Sequence, residues 1–222
     1  MTSSPSLILA SASPRRRQLL AFLAADFTVA SADIDEQALP AEAPLPHVLR
    51  LAETKAQVVA SRHPQACVLA ADTIVVQDGS ILGKPAGPAE ARCMLHRLRA
   101  ATHQVITAVA LAHQGQTVTA AHTSLVTMRS YSDAEIAAYI ATGDPLDKAG
   151  AYAIQHPTFQ PVAHFQGCFA SIMGLPLGVV ADLLSAAGLP PAPAWPDACA
   201  RLGGSCCQWR MKNGQWSMVN DE

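Results

Sequence analysis

An α/β fold is predicted from three features of the chain. A short apolar run, Leu7 to Leu9, leads through a small polar turn into a helix opened by a proline. A nearly continuous apolar stretch, residues 67–76 (CVLAADTIVV), has the composition of a buried strand. Helix patterns alternate with β-rich runs over most of the remaining chain. With 222 residues, 50% of them hydrophobic and 14% charged, the chain has the means to bury a sizeable core.

After the first strand, Ser11-Ala12-Ser13 forms the turn and Ser13 is placed to cap a helix over residues 14–23. Pro14 suits the first helical position, where no N–H is needed. Arg15, Arg16 and Arg17 then crowd the positive end of the helix dipole, at a cost of about 0.3–1 kcal/mol each. That arrangement makes sense where an anion sits. Helix-start N–H groups, the hydroxyls of Ser11 and Ser13 and the guanidinium groups would together hold a polyphosphate. A short strand is expected at residues 27–30. The following segment is acidic, proline-bearing and irregular, with Asp33, Asp35 and Glu36 close together. It reads either as a solvated loop or as half of a divalent-metal site.

A strong helix pattern covers residues 46–61, with Lys55 in its middle; that lysine matters chemically only if its face looks into a cleft. Asp72 and Thr73 interrupt the long apolar strand. A carboxylate there is costly unless paired or bound to a metal, so Asp72 is a functional candidate. Asp78-Gly79 turns the chain, residues 80–82 return as a strand, and Gly83-Lys84-Pro85 places Lys84 in a tight turn at a strand end. A helix is expected over 88–99. Two β-rich runs, 104–112 and 117–129, meet at a hairpin around residues 113–116. Ser132 and Glu135 form a capping box for a helix ending near Gly143. A long turn over 143–152 carries Asp144, Asp147 and Lys148. Residues 169–173 read as a strand and 177–187 as a helix stopped by Gly188 and Pro190.

The chain divides into a body, residues 1–189, and a tail, residues 190–222, of different character. The tail opens on PPAPAWP, read as a stiff linker. Beyond it, Asn213-Gly214 signals a type I′ hairpin that pairs Met211 with Trp216 and Trp209 with Met218 on one face. This hairpin is expected to pack on the body or on a partner subunit. Cys199, Cys206 and Cys207 do not follow a usual zinc spacing, and the cysteines are expected to be free thiols. A net charge of −2 argues against non-specific nucleic-acid binding. No apolar run approaches the roughly 18–20 residues of a membrane span, and the N-terminus lacks a basic signal-peptide region. A cytoplasmic location without membrane association is expected.

Assembled in order, these motifs resemble the Maf family of nucleoside triphosphate pyrophosphatases over residues 7–189. The family's Ser-x-Ser-x-Arg-Arg pattern falls on Ser11, Ser13, Arg15 and Arg16, its acidic loop residue on Glu36 and its helical lysine on Lys55. The Ala-Asp-Thr strand is Ala71-Asp72-Thr73, the Gly-Lys-Pro turn is Gly83-Lys84-Pro85, and the Asp-Lys-Ala-Gly-Ala-Tyr…Ile-Gln segment runs from Asp147 to Gln155. The resemblance implies a two-lobed Maf/ITPase-like fold, with a mixed sheet flanked by helices and a central nucleotide cleft. It implies water attack on the α-phosphorus of a small-molecule nucleotide, with a divalent cation, Mg²⁺ or Mn²⁺, as cofactor and a homodimer as the assembly. Arg15, Arg16, Lys55 and Lys84 would neutralise the triphosphate. Asp72 would accept the proton or hold metal, with Glu36 as the second carboxylate. Arg15, Thr73 and Gln155 match the branch acting on dTTP and UTP, and differ from the 7-methyl-GTP branch. Two features depart from the family pattern, HPTFQPVAHFQG after Gln155 and Gly167-Cys168-Phe169; a substituted wall near the base would alter or broaden specificity, giving the alternative of a pyrophosphatase for another base such as 7-methyl-GTP. The family's link to septum formation and division arrest provides the alternative of a nucleotide-binding regulator without turnover.

Overall fold

The computed structural model describes residues 5–202, 209–212 and 215–218. Its centre is the long strand β3 (Cys67–Gln77), the spine of a mixed seven-stranded sheet. On one side β3 pairs in parallel with β1 (Leu7–Leu9), which pairs in parallel with β2 (Thr28–Val29). Farther along, the same strand pairs with β4 (Ser80–Leu82) across the predicted Asp78-Gly79 turn. On its other side β5 (Thr102–His113), β6 (Gln116–Met128) and β7 (Val162–Gln166) follow in antiparallel order. The sheet is open, with β2 and β7 at its edges.

Among the described residues, one helix covers one face. In α2 (Pro44–Arg62), Val48, Ala52, Ala56 and Val59 pack on Ile8, Val68, Ala70, Ala108 and Ala110. Small residues on both sides permit a close approach of helix to sheet. The helix begins two residues before the predicted start. Pro44 and Pro46 both sit in its first turn, where a missing N–H breaks no helical bond, and His47 makes an i−4 bond to Ala43.

The opposite face carries two separate cores. Around the first half of β3, Leu9, Leu69, Val109 and Leu111 meet α1 (Pro14–Leu20), α5 (Phe169–Met173) and α6 (Leu177–Ala186). Around the second half, Val75, Val105, Val126 and Met128 meet α3 (Pro88–Leu98) and α4 (Asp133–Ala141). These two cores are the two lobes. The Ser132–Glu135 capping box is formed as predicted.

Three local expectations need correcting. Residues 169–173 form α5 and not a strand; Ala170, Ser171 and Ile172 are buried in succession, a pattern that does not separate a buried strand from a buried helical turn. Cys168 caps this helix and Gly174 ends it in the left-handed region, at φ 116°. The edge strand β7 occupies the stretch that departs from the family pattern, where the sequence predicts no strand. Part of the supposed linker is helical, α7 (Trp195–Arg201), and the half-buried Trp195 packs against the first core. In the tail, β8 (Trp209–Lys212) and β9 (Gln215–Met218) pair antiparallel, with Met211 opposite Trp216 and Trp209 opposite Met218. The expected turn residues Asn213 and Gly214, Cys206 and Cys207, and the side chain of Cys199 lie outside the described residues. Cys67 and Cys93 are free thiols.

Candidate active site

The cleft opens where β3 changes partner. Pairing with β1 ends at Leu9–Leu69, extended by the Ala10 N–H donating to the Leu69 carbonyl at 2.7 Å. Pairing with β4 begins at Val75–Leu82. Between these points that edge of β3 has no strand beside it among the described residues, and Asp72 and Thr73 sit in the gap. Because side chains alternate along a strand, Asp72 lies on the α2 face and Thr73 on the face between the two lobes. The resulting cleft has a volume of about 640 Å³, within the range of small-molecule sites. Ser11, Ser13, Arg15, Arg16, Glu36, Lys55, Asp72, Thr73, Lys84 and Gln155 all line it.

On the α2 side, the buried Lys55 ammonium joins two carboxylates. Its Nζ lies 2.6 Å from Asp72 Oδ1 and 2.6 Å from Glu36 Oε1. This pairing answers the cost of a carboxylate in an apolar strand. Glu36 comes from the irregular segment between β2 and α2 and is half exposed. Its second oxygen is 4.0 Å from the exposed Lys84 ammonium. Partial burial would push the Glu36 carboxyl up. The hydrogen bond and charge of Lys55, with Lys84 and Arg16 adding, outweigh that and hold it below the usual carboxylate range.

Across the cleft, the Arg16 guanidinium ties α1 to the Ser11 turn, to β3 and to the end of α5. Nε donates to the Gly174 carbonyl at 2.9 Å, Nη1 to Ser11 Oγ at 3.3 Å and Nη2 to Thr73 Oγ1 at 3.1 Å. Thr107 Oγ1 donates to the Ser171 carbonyl at 2.7 Å, so in the 3.0 Å contact between the two threonine hydroxyls Thr73 is the donor. Toward the cleft, Thr73 is therefore left with accepting capacity only. Burial lowers the Arg16 pKa; Asp72 opposes this shift and Arg15 adds to it. Ser13 caps α1 as predicted, accepting from the Arg16 N–H at 3.5 Å. Of the three consecutive arginines, Arg15 is half-buried at the cleft and Arg16 is committed to bracing. Arg17 is exposed and does not line it.

The far wall is built by the turns after α4. Gln155 is exposed there, next to Ile154. Lys148 also lines the cleft, a buried cation that the sequence marked only as one polar residue of a long turn. Its Nζ lies 2.9 Å from Asp144 Oδ1 and 2.7 Å from Asp147 Oδ1, and Tyr139 donates to Asp144 Oδ2 at 2.6 Å. None of residues 156–169, where the sequence departs from the family pattern, lines the cleft. Phe159 instead enters the second core, stacked on Tyr139 with centroids 4.4 Å apart. Gly167, at φ 117°, passes so close to Ser124 that a Cβ would fall 2.6 Å from its Oγ.

The donor set at the α2 side consists of hard carboxylate oxygens. Among the described residues no group of three or more His, Cys, Asp or Glu side chains could hold a metal unaided. Two carboxylates, completed by water and phosphate oxygens, are nevertheless the usual setting for Mg²⁺. The residues fit such a cation bound together with a phosphorylated ligand.

Residues 6–187 match the family model described as Maf-like protein. The chain is 52% identical over 184 residues to a dTTP/UTP pyrophosphatase of Myxococcus xanthus, covering 83% of this chain and 93% of that one. It is 50% identical over 186 residues to the protein of that name from Thermomicrobium roseum, covering 83% and 85% of the two chains. A third dTTP/UTP pyrophosphatase, from Symbiobacterium thermophilum, is 45% identical over 184 residues, 83% and 95% of the chains. These similarities, spanning the sheet and the cleft described above, place the chain in the Maf-like family.

Proposed function

We propose that this protein hydrolyses dTTP and UTP at the α–β phosphoanhydride bond, giving the nucleoside monophosphate and pyrophosphate. The observation that carries this reading is the convergence of Asp72, Glu36, Lys55 and Lys84 in one cleft that Thr73 and Gln155 also line. The names of relatives about half identical to this chain supply the substrate class.

The reaction places water on the α-phosphorus and breaks its bond to the bridging oxygen, which leaves with the pyrophosphate. Asp72 accepts the proton released by the water. Lys84 and Arg15, both at the cleft surface, meet the negative charge of the phosphates. Lys84 acts as a point charge and Arg15 as a bidentate fork. Lys55 holds the two carboxylates in place. A divalent cation, Mg²⁺ or Mn²⁺, held by Glu36 and Asp72, would supply charge neutralisation at the phosphates when bound. Thr73, presenting an acceptor, and Gln155, presenting an amide, read the base. A polar group left unpaired against the wrong base is the source of discrimination. The proposal extends to a cytoplasmic homodimer, supported by the family resemblance and checked by light scattering in solution.

The deciding experiment is pyrophosphate release from purified protein with dTTP, UTP, CTP, GTP and 7-methyl-GTP, with Mg²⁺ or Mn²⁺ and with chelator. Metal-dependent turnover of dTTP and UTP, with little of GTP, is expected. Turnover centred on another base would keep the chemistry and overturn the assignment of Thr73 and Gln155. Nucleotide binding without turnover would make the protein a regulator.

A further inference from the structure

Glu36 reaches the site from a long segment without regular structure, and something other than a strand or helix must hold it there. Helix α2 does so at several points. Lys55 takes the Glu36 side chain at 2.6 Å, and Arg50, farther up the same helix, takes the backbone beside it, Nη2 donating to the Gln37 carbonyl at 3.0 Å. Arg50 is itself locked. Its Nε donates to Glu42 Oε1 at 2.6 Å and its Nη2 to Glu42 Oε2 at 2.7 Å, a fork on a carboxylate. Glu42 Oε2 also accepts from the Leu39 N–H at 3.0 Å and meets His47 Nδ1 at 2.9 Å. Arg50 holds the Glu42 carboxyl well below the usual range. The two ends of the loop's apex are thus tied to one guanidinium that does not itself line the cleft and meets it only through His47, whose Nδ1 lies 3.2 Å from Arg50 Nη2.

We propose that Arg50 is a positioning residue for the reaction. Its guanidinium, fixed by Glu42, sets the backbone at Gln37 and thereby the place where the Glu36 carboxylate meets Lys55. This rests on the reading that Glu36 takes part in turnover. A lysine at position 50 keeps the charge and suits a helix but loses the planar fork, so it cannot hold Glu42 and Gln37 together.

The test is a cycle of Arg50→Lys, Glu36→Gln and the double variant, assayed with dTTP and metal. For Arg50→Lys, kcat is expected to fall about tenfold with KM nearly unchanged, and the loss is expected to vanish in the Glu36→Gln background, as coupled neighbours require. In the unliganded protein, amide exchange at Leu39 and its neighbours is expected to rise in Arg50→Lys, a readout independent of activity. An impaired Glu36→Gln with a wild-type-like Arg50→Lys would overturn the proposal alone. Multiplying losses in the double variant would do the same, because Arg50 would then act by a route other than Glu36. A wild-type-like Glu36→Gln would overturn both this proposal and the role given to Glu36.

Discussion

At the level of single residues, Asp72 is the side chain on which most depends. It is a carboxylate in a strand buried at every position but Thr73, and Lys55 is its compensation at 2.6 Å. Asp72→Asn keeps the volume and removes both the charge and the proton acceptor. Turnover of dTTP is expected to fall by at least about 10²-fold. Circular dichroism should stay native, because Glu36 still pairs Lys55; substantial residual turnover in a folded variant would remove Asp72 from the mechanism. Asp72 was legible in the sequence because a charge inside an apolar run has few structural excuses. Lys148 was not, since a lysine among aspartates in a turn looks like solvated surface until packing buries it.

Single elements show where local pattern runs out. α5 was misread as a strand although its boundaries were correct, and its C-terminal glycine is what brings it into the site. Gly174 offers its carbonyl to Arg16 Nε, and a Cβ there would lie 3.3 Å from that nitrogen and 3.4 Å from Thr73 Oγ1, on a backbone at φ 116°. Gly174→Ala therefore combines left-handed strain with displacement of Arg16. A stability loss of about 1–3 kcal/mol in denaturant unfolding is expected, with a rise in KM for dTTP as the Arg16 tie between α1 and α5 beside Thr73 loosens. An unchanged KM in a destabilised protein would show that Arg16 supports the fold only. The loop that carries Glu36 is the opposite case. Its acidic composition was readable, but the Arg50–Glu42 clasp that places it depends on a helix face that no local window contains.

For the whole molecule, the packing of the second lobe makes stability depend on pH. Burial holds the His103 imidazole, whose Nε2 lies 2.7 Å from Tyr152 Oη, down to about 4 from an ordinary 6.5. The unfolded chain therefore binds this proton first. The contribution is complete above pH 6.5 and is lost as pH falls from there toward 4, by about 3 kcal/mol in total. Glu135, held to about 2 by the Ser132 backbone and by Arg129, extends the acid loss below pH 4.5. Melting temperature is expected to be level above pH 6.5 and to decline below it. In His103→Gln, which keeps a polar partner for Tyr152 without a titrating group, the step between 6.5 and 4 should flatten. A wild-type profile in that variant would assign the step to another group. By itself, the sequence determined what neighbouring residues decide among themselves: the caps at Ser13 and Ser132, the turn at Asp78-Gly79, the long strand and its misplaced charge. Only the tertiary structure decided which half of each lobe faces the cleft, that α5 is helical, and that Arg16 braces the site while Arg17 stays in solvent. Those outcomes follow from β3 changing partners in mid-strand and from burial against distant elements, and neither is written in the order of adjacent side chains.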